Sequence, residues 1–186
     1  LVREGQLGNV FRLESRIQGS RGIADTWRRI KSMGGGMLYD WGSHLIDHIL
    51  ELTQGTVTQV WADFQYLGGY DVDDNVRVTM LFDDGVSALV EIGTCNFLNL
   101  PVWYVAGQAG TAMIREWAGA GEYARFTNKR AKQLNEIPDS KVGPSITFAP
   151  CQEDLLQKLP LPIVKRDEGK FYKNLLLTLE GKEALW

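Results

Sequence analysis

An aspartate and a histidine four residues apart are the first candidates for chemistry in this sequence. Asp40 and His44 would lie one helical turn apart, where their side chains can hydrogen-bond. A carboxylate beside an imidazole holds the tautomer of the ring, and such a pair can take a proton from an alcohol or return it. The pair therefore predicts general acid–base chemistry, whereas the alternative is a solvated helix face without a catalytic role.

Metal binding is a second interpretation of the same segment. His44 and His48 have the spacing of two ligands on one helix face, and Asp40 and Asp47 are nearby. A zinc-protease helix would need glutamate at position 45, where the sequence has leucine. His48 also falls 40° around the helix from His44, toward its apolar side. We therefore expect His48 to be a partly buried packing residue, and we predict no metal.

A strong helix must position these side chains. Over residues 37–52 the apolar residues recur every three or four positions, which is one face of an α-helix; they are Leu38, Trp41, Leu45, Ile49 and Leu52. The opposite stripe carries Asp40, His44, Asp47 and Glu51. The preceding triple glycine, Gly34–Gly36, allows a ligand or another backbone to come close.

Alternating apolar residues predict several strands around this helix. They cover residues 10–17, 57–67, 76–82, 86–94, 102–106, 111–117 and 122–127. Short glycine-containing connections such as Asp83-Asp84-Gly85 favour antiparallel pairing. A weaker helix is predicted over 168–179, and residues 128–166 form a proline-containing excursion with little regularity. The predicted class is α+β, a largely antiparallel open sheet with the main helix packed on one face.

Composition places the chain among ordinary globular proteins. Its 186 residues are 44% hydrophobic and 23% charged, enough for one domain with its own core. Two cysteines, Cys95 and Cys151, are too few for a disulfide scaffold. No apolar run is long enough for a membrane helix, and no apolar signal core opens the sequence. We expect a reducing, cytoplasmic setting and no membrane partner.

The charge distribution argues against nucleic-acid binding. Residues 37–99 carry one basic residue, Arg77, and ten acidic residues. Phosphate binding needs clustered positive charge, so we predict no nucleic-acid partner. Residues 1–36 are more basic, and we expect most of that charge to lie on a solvated face. A dinucleotide fingerprint must open a helix, whereas Gly107–Gly110 lies between two predicted strands.

Residues 33–47, which spell MGGGMLYDWGSHLID, resemble the signature GGGxLxDxGxHxxD of the Gfo/Idh/MocA oxidoreductases. That family includes glucose–fructose oxidoreductase and inositol dehydrogenase. The segment 4–10 resembles the start of the family's C-terminal domain, and Trp27-Arg28 resembles the pair before its triple glycine. Asp73-Asp74 followed by residues 82–85 resembles its strand pair, and residues 107–110 resemble its later turn.

The resemblance implies a division of labour between two domains. In this family an N-terminal Rossmann domain binds NAD or NADP and carries the catalytic lysine of a Glu-Lys-Pro motif, which does not occur here. Residues 1–186 would then be the C-terminal substrate and oligomerisation domain, with the Rossmann domain absent from this chain. The first residue is not methionine, so we expect a piece of a longer protein. The piece alone is expected to be inactive and to bind no nicotinamide.

The resemblance also assigns roles by matching positions. His44 would be the acid–base group at the substrate hydroxyl, and Asp40 would support it. Asp47 would have a structural role or would contact this pair without touching the substrate. Trp27 and Arg28 would contact the substrate, a sugar, cyclitol or similar polyol. A different class of function is a non-catalytic ligand-binding or oligomerisation module, which an upstream sequence lacking the Rossmann glycine motif would favour.

The predicted sheet leaves one face for a partner. The more apolar face, with Val60, Phe64, Val78, Met80, Val90 and Ile92, suits the helix. The opposite face carries Trp61, Leu81 and Leu89 among polar residues, and such exposed apolar patches usually mark an interaction surface. We expect a homo-oligomer formed through this face, unless the second helix or the excursion covers it.

Overall fold

The computed structural model describes residues 1–117, 119–127, 156–162 and 169–185, and within these ranges it confirms the α+β class. The strands are β1 (Val10–Gln18), β2 (Val57–Gln65), β3 (Asn75–Phe82), β4 (Ser87–Gly93), β5 (Trp103–Gly107), β6 (Gly110–Ile114), β7 (Gly121–Phe126) and β8 (Leu156–Pro160). The helices are α1 (Ser43–Leu52) and α2 (Lys170–Leu179). A π-helical turn (Leu38–Gly42) leads into α1, and two 3-10 turns (Trp27–Arg29 and Lys31–Met33) precede it.

The described strands form one open sheet in the order β2-β3-β4-β1-β5-β6-β7-β8. Neighbouring strands are antiparallel except β1 and β4, which are parallel. Tight turns produce the antiparallel pairs. Between β3 and β4, Gly85 takes a φ of 85° and the Asp84 carboxylate accepts the backbone N–H of Val86 at 3.0 Å. β1 is central because β4 and β5 pair with its two sides.

Helix α1 covers one face of this sheet. Leu45 and Ile49 are fully buried, and they join a core built from alternate residues of the central strands: Leu13, Val76, Val78, Met80, Val90 and Ile92. Burial of each such side chain stabilises the fold by about 1.5–3 kcal/mol. Two residues predicted for this core, Val60 and Phe64, are instead 57% and 41% exposed. They lie on the edge strand β2, whereas α1 lies over β1 and β4.

The central strand β1 departs from simple alternation. A register shift between Val10 and Arg12 leaves Phe11 49% exposed, although strict alternation would put it on the same face as the buried Leu13. All four residues from Leu13 to Arg16 are buried. Part of the basic N-terminal charge therefore lies inside the protein, because β1 has neighbouring strands on both sides.

An ion-pair network crosses the sheet face opposite α1. Arg16 Nε lies 3.1 Å from Glu91 Oε2, and its guanidinium also pairs with Glu14. Arg77 lies 3.7 Å from Glu91, and Arg12 pairs with Glu14. The two inner members, Glu14 and Arg16, are both only 6% exposed, so their charges are stable there because each is paired. Positive and negative side chains alternate across this face, and their ion pairs connect β1, β4 and β3.

The predicted elements are confirmed where the structure describes them. All seven predicted strands are present with ends shifted by at most three residues, and α2 falls within the predicted helix 168–179. Residues 156–160 of the predicted irregular excursion form β8, while residues 128–155, 163–166 and Cys151 lie outside the described residues. None of the helices described is long and apolar enough to cross a membrane.

We predict that Leu45→Ala destabilises the protein far more than Leu50→Ala. Leu45 is fully buried against the sheet, whereas Leu50 is 45% exposed on the same helix. The buried truncation should cost about 2–5 kcal/mol, and the exposed one should stay within about 0.5 kcal/mol. Urea denaturation of the two variants measures the difference. Equal midpoints would show that α1 does not pack as described.

Candidate active site

The first turn of the helical segment is held by an aspartate from the loop before β3. The Asp73 carboxylate accepts the backbone N–H of Leu38 at 2.8 Å, and its carbonyl accepts that of Met37 at 3.0 Å. These two N–H groups have no partner within the helix, so Asp73 serves as its N-terminal cap from another part of the chain. Negative charge at this end also interacts favourably with the helix dipole.

The triple glycine makes this contact possible. Gly36 has a φ of 113°, and a Cβ added there would lie 2.3 Å from Asp73 Oδ1. A Cβ on Gly35 would lie 2.5 Å from the carbonyl oxygen of Arg28, which accepts the N–H of Gly36 at 2.9 Å. The glycines therefore bring a second backbone segment close, as the sequence predicted, and that segment is the Trp27-Arg28 turn.

The Trp27–Arg29 turn is fixed from its other side as well. Arg29 donates to the carbonyl of Ile23 at 2.9 Å through Nε and at 2.5 Å through Nη2, and its guanidinium lies 4.7 Å from the Tyr70 ring centroid. Thr26 Oγ1 accepts the backbone N–H of Arg28 at 3.4 Å. These contacts fix the short turn that carries the side chains of Trp27 and Arg28.

Arg28 forms an ion pair with Asp40. Arg28 Nε donates to Asp40 Oδ2 at 2.6 Å, and the guanidinium lies 4.8 Å from the centroid of the Trp27 ring. The Asp40 side chain is 14% exposed and that of Arg28 is 36% exposed. Three of the predicted site residues therefore lie together, and charge-assisted hydrogen bonding orients the carboxylate.

His44 lies next to this group without a hydrogen bond to Asp40. Its ring is exposed and makes an edge contact with Trp41, with ring centroids 6.0 Å apart. In the part of the chain described, the structure replaces the predicted Asp40–His44 hydrogen bond with the Arg28–Asp40 pair. The physical reason is the close approach of the Trp27-Arg28 turn to the glycine run, which places the Arg28 guanidinium on the Asp40 carboxylate.

The widened turn also changes the environment of Trp41. The regular pattern placed Trp41 on the buried face, but it is 37% exposed and packs edge-on against Trp117 at 6.1 Å between ring centroids. Ser43 Oγ lies 3.2 and 3.4 Å from the carbonyl oxygens of Tyr39 and Asp40 and donates to them. These contacts give two carbonyl groups of the π-helical turn a hydrogen-bond donor.

The remaining candidates lie farther along α1. Asp47 and His48 are both exposed. The prediction that His48 is partly buried is therefore wrong, although its ring centroid lies 6.3 Å from that of Trp103. Among the residues described, no three His, Cys, Asp or Glu side chains are grouped so that they could hold a metal ion. The supporting role of Asp47 stays a prediction.

Sequence reasoning missed two contributors to this region. Asp73 enters only through the family resemblance, because a cap 35 positions away from Leu38 leaves no local pattern. The strand predicted over 111–117 includes Trp117, whereas β6 ends at Ile114. Its contact with Trp41 joins two distant segments, so no spacing along the chain indicates it.

Comparison with known proteins places these features in a family context. Residues 1–113 match the family model of the GFO/IDH/MocA C-terminal domain. The chain is similar to an NAD-binding protein from Listeria innocua, with 36% identity and a TM-score of 0.82 over 98% of this chain and 52% of that one. No curated protein matches the sequence.

Two more distant solved structures share the fold. An oxidoreductase from Bacillus cereus is 15% identical with a TM-score of 0.66, over 99% of this chain and 52% of that one. An NAD binding oxidoreductase from Klebsiella pneumoniae is 22% identical with a TM-score of 0.58, over 70% of this chain and 39% of that one. The chain spans about half the length of the Listeria and Bacillus proteins.

We predict that Gly36→Ala destabilises the protein more than Gly34→Ala. Both glycines have positive φ, so alanine is strained at either position by about 1–2 kcal/mol. Only Gly36 faces Asp73, and steric overlap there should add about 1–3 kcal/mol, whereas a Cβ at Gly34 meets nothing within 4 Å. Thermal and urea unfolding compare the two. Equal losses would show that the Gly36–Asp73 approach is not required.

Proposed function

We infer the function from one premise: this chain belongs to the GFO/IDH/MocA family, whose C-terminal domain it contains. The resemblance seen in residues 33–47 is thereby confirmed. We propose that the chain is the substrate side of an NAD(P)-dependent oxidoreductase that acts on a sugar, a cyclitol or a similar polyol. The observation that supports this most is the exposed His44 beside the Arg28–Asp40 pair, on a helix anchored at its first turn.

The proposed chemistry assigns one proton to one side chain. When the substrate alcohol is oxidised, a bound nicotinamide supplies the acceptor for the hydrogen that leaves carbon with its electron pair. His44 accepts the hydroxyl proton in that direction and returns it during reduction. The ring is accessible to solvent, so the proton can then exchange with water.

In this proposal Arg28 and Asp40 position the substrate and take no part in the proton transfer. Asp40 supports the site by holding Arg28, whose Nε is used by that carboxylate. The two Nη groups of Arg28 make no hydrogen bond among the described residues, so they can donate to substrate oxygens. Trp27, 43% exposed and covered on one side by Arg28, offers an apolar ring surface beside them.

The cofactor is proposed for the full-length protein. The similar Listeria and Klebsiella proteins are described as NAD-binding. The described residues of this chain do not fit a nicotinamide dinucleotide, because Gly107–Gly110 connects the antiparallel strands β5 and β6 and opens no helix. We therefore assign the phosphate-binding loop to a part of the protein outside this chain.

We expect this chain by itself to bind no nicotinamide cofactor with useful affinity. Among the described residues, the glycine run that opens a helix is Gly34–Gly36, and the Asp73 carboxylate already occupies that N-terminus where a pyrophosphate would bind. Calorimetric titration with NADH and with NADPH should give no saturable heat. Micromolar binding to this chain would contradict the proposed division between the two domains.

In the full-length protein, His44→Ala should lower turnover about 10²–10⁴-fold, the usual effect of losing a positioned acid–base group. Affinity for the nicotinamide should barely change. His48→Ala is the matched control, because His48 is also exposed and lies one turn farther along α1. Steady-state kinetics with a polyol panel and each nicotinamide make the comparison. Loss of turnover in His48→Ala with near-full activity in His44→Ala would identify the wrong histidine.

We also propose a homo-oligomer that forms through the sheet face opposite α1. Trp61 is 55% exposed on this face, and Leu81 and Leu89 are half-buried beside it. The network of Arg77, Glu91 and Arg16 lies on the same face and borders the apolar group on one side with paired charge. A two-fold pairing of these faces would bury the patch symmetrically.

Trp61→Glu should therefore convert the oligomer to smaller species at tens of micromolar protein. Val60→Glu is the control, because Val60 is 57% exposed on the same strand and points to the other face. Light scattering on both variants and on the unmutated protein measures the mass. An unmutated monomer, or an oligomer that Trp61→Glu leaves intact, would remove the argument for this face.

A further inference from the structure

The first six residues form the hydrogen bonds with which an α-helix ends. The backbone N–H of Gln6 donates to the carbonyl of Leu1 at 3.0 Å, and that of Gly5 donates to the carbonyl of Val2 at 2.9 Å. Gly5 has a φ of 66°, in the left-handed region. Together these features are the Schellman motif, which satisfies carbonyl groups of a last helical turn. A single turn is not stable by itself, so the motif indicates a helix body before Leu1.

An apolar groove of about 490 Å³ begins at this turn. Leu1 and Val2 line one end of it. The other apolar side chains of the groove come from the end of α1, from β5 and β6 and from the segment after β8; they are Leu52, Trp103, Val105, Ala112, Ile114 and Leu161. The groove therefore joins the helix end to the sheet.

The strand residues of the groove lie on the α1 side of the sheet. Val105 pairs with the core residue Leu13 of β1 and with Ala112 of β6, and Trp103 pairs with Ile114. α1 packs mainly over β1 and β4, and Trp103 and Ile114 stay only partly buried. The face of β5 and β6 beside α1 thus has room for a second helix.

Arg3 fixes where this second helix ends. Its Nη2 lies 3.4 Å from the carbonyl oxygen of Glu51 and 3.3 Å from Glu51 Oε1, in the last turn of α1. The groove extends from there to Trp103, whose ring centroid lies 6.3 Å from that of His48 near the middle of α1. A helix in the groove would therefore run in the same direction as α1, with its start toward His44.

The last turn already has the polarity that such a helix needs. Leu1 and Val2 are partly buried in the groove, whereas Arg3 and Glu4 are exposed. A five-residue strand such as β5 is about 17 Å long, which corresponds to roughly 11 residues of α-helix. Because the helix is covalently continuous with the end of the groove, it has a high effective concentration there and is favoured over a second copy of the chain.

We propose that this groove is the docking surface of an amphipathic helix that directly precedes Leu1 in the full-length protein, ends at Glu4 and lies parallel to α1. This chain covers 52% of the similar Listeria protein, which leaves ample length for such a helix. The docked helix would fix the rest of the protein beside the helix that carries His44. The proposal does not depend on the chemistry assigned to His44.

Hydrogen exchange of the full-length protein, measured by mass spectrometry, tests the docking. The roughly 11 residues before Leu1 should exchange slowly, as in a packed helix. Ile114→Asp places a charge in the groove and should speed their exchange at least about tenfold. Val60→Asp is the matched control, because Val60 pairs with the core residue Met80 on the same sheet face but does not line the groove. It should leave that exchange unchanged.

A second pair of variants tests the helix end. Gly5 and Gly69 both have positive φ, 66° and 73°, and a Cβ at either position meets nothing within 4 Å. Gly5→Ala strains the left-handed cap and should speed exchange of the last turn at least about fivefold. Gly69→Ala carries the same strain in another loop and should leave the last turn unchanged.

Exchange of the β3 and β4 amides shows whether each variant keeps its fold. If Ile114→Asp also speeds exchange there, Ile114→Ala replaces it, and a smaller acceleration limited to the segment before Leu1 is expected. Fast exchange of that segment in the unmutated protein, or slow exchange that the Ile114 variants leave unchanged, would overturn the proposal. Protection that appears only as protein concentration rises would assign the groove to a second copy and would overturn it as well.

Discussion

The cap that Asp73 places on the first turn of the helical segment is the interaction on which the site depends. It joins the loop before β3 to the backbone of residues 37 and 38, and it is possible only because Gly36 has no side chain. In the same glycine run, the backbone N–H of Gly36 donates to the carbonyl of Arg28. One close approach therefore sets the positions of the helix, the Trp27-Arg28 turn and the Arg28–Asp40 pair. A larger side chain here would separate all three.

The sheet supplies the rigid support for this arrangement. α1 is held on β1 and β4 by Leu45 and Ile49, and the π-helical turn that leads into it is held by Asp73, so two independent contacts fix the direction of the helical segment. The central position of β1 has a second consequence. It buries Arg16 between Glu14 and Glu91 on the face opposite α1. The same strand therefore supports the helix on one face and the ion-pair network on the other.

Local patterns predicted much of this fold, because one-sided burial imposes a period of two on strands and of 3.6 on helices. The positions of the strands and the extents of the helices followed from that rule. It failed where tertiary contacts override it: the register shift that exposes Phe11, the Arg28 guanidinium that pairs with Asp40 in place of His44, and the edge position that exposes Phe64. The pairing of Arg28 with Asp40 could not be predicted, because either histidine or arginine satisfies that carboxylate and only the packed turn selects between them.

The most direct test of the account is a crystal structure of the full-length protein with a nicotinamide cofactor and a polyol that it oxidises. The account predicts that a ring nitrogen of His44 lies about 2.6–3.2 Å from the hydroxyl on the carbon that faces the nicotinamide, the range needed for proton transfer. It also predicts that Arg28 remains paired with Asp40. A substrate whose reacting hydroxyl contacts another side chain, with His44 facing solvent, would contradict the account.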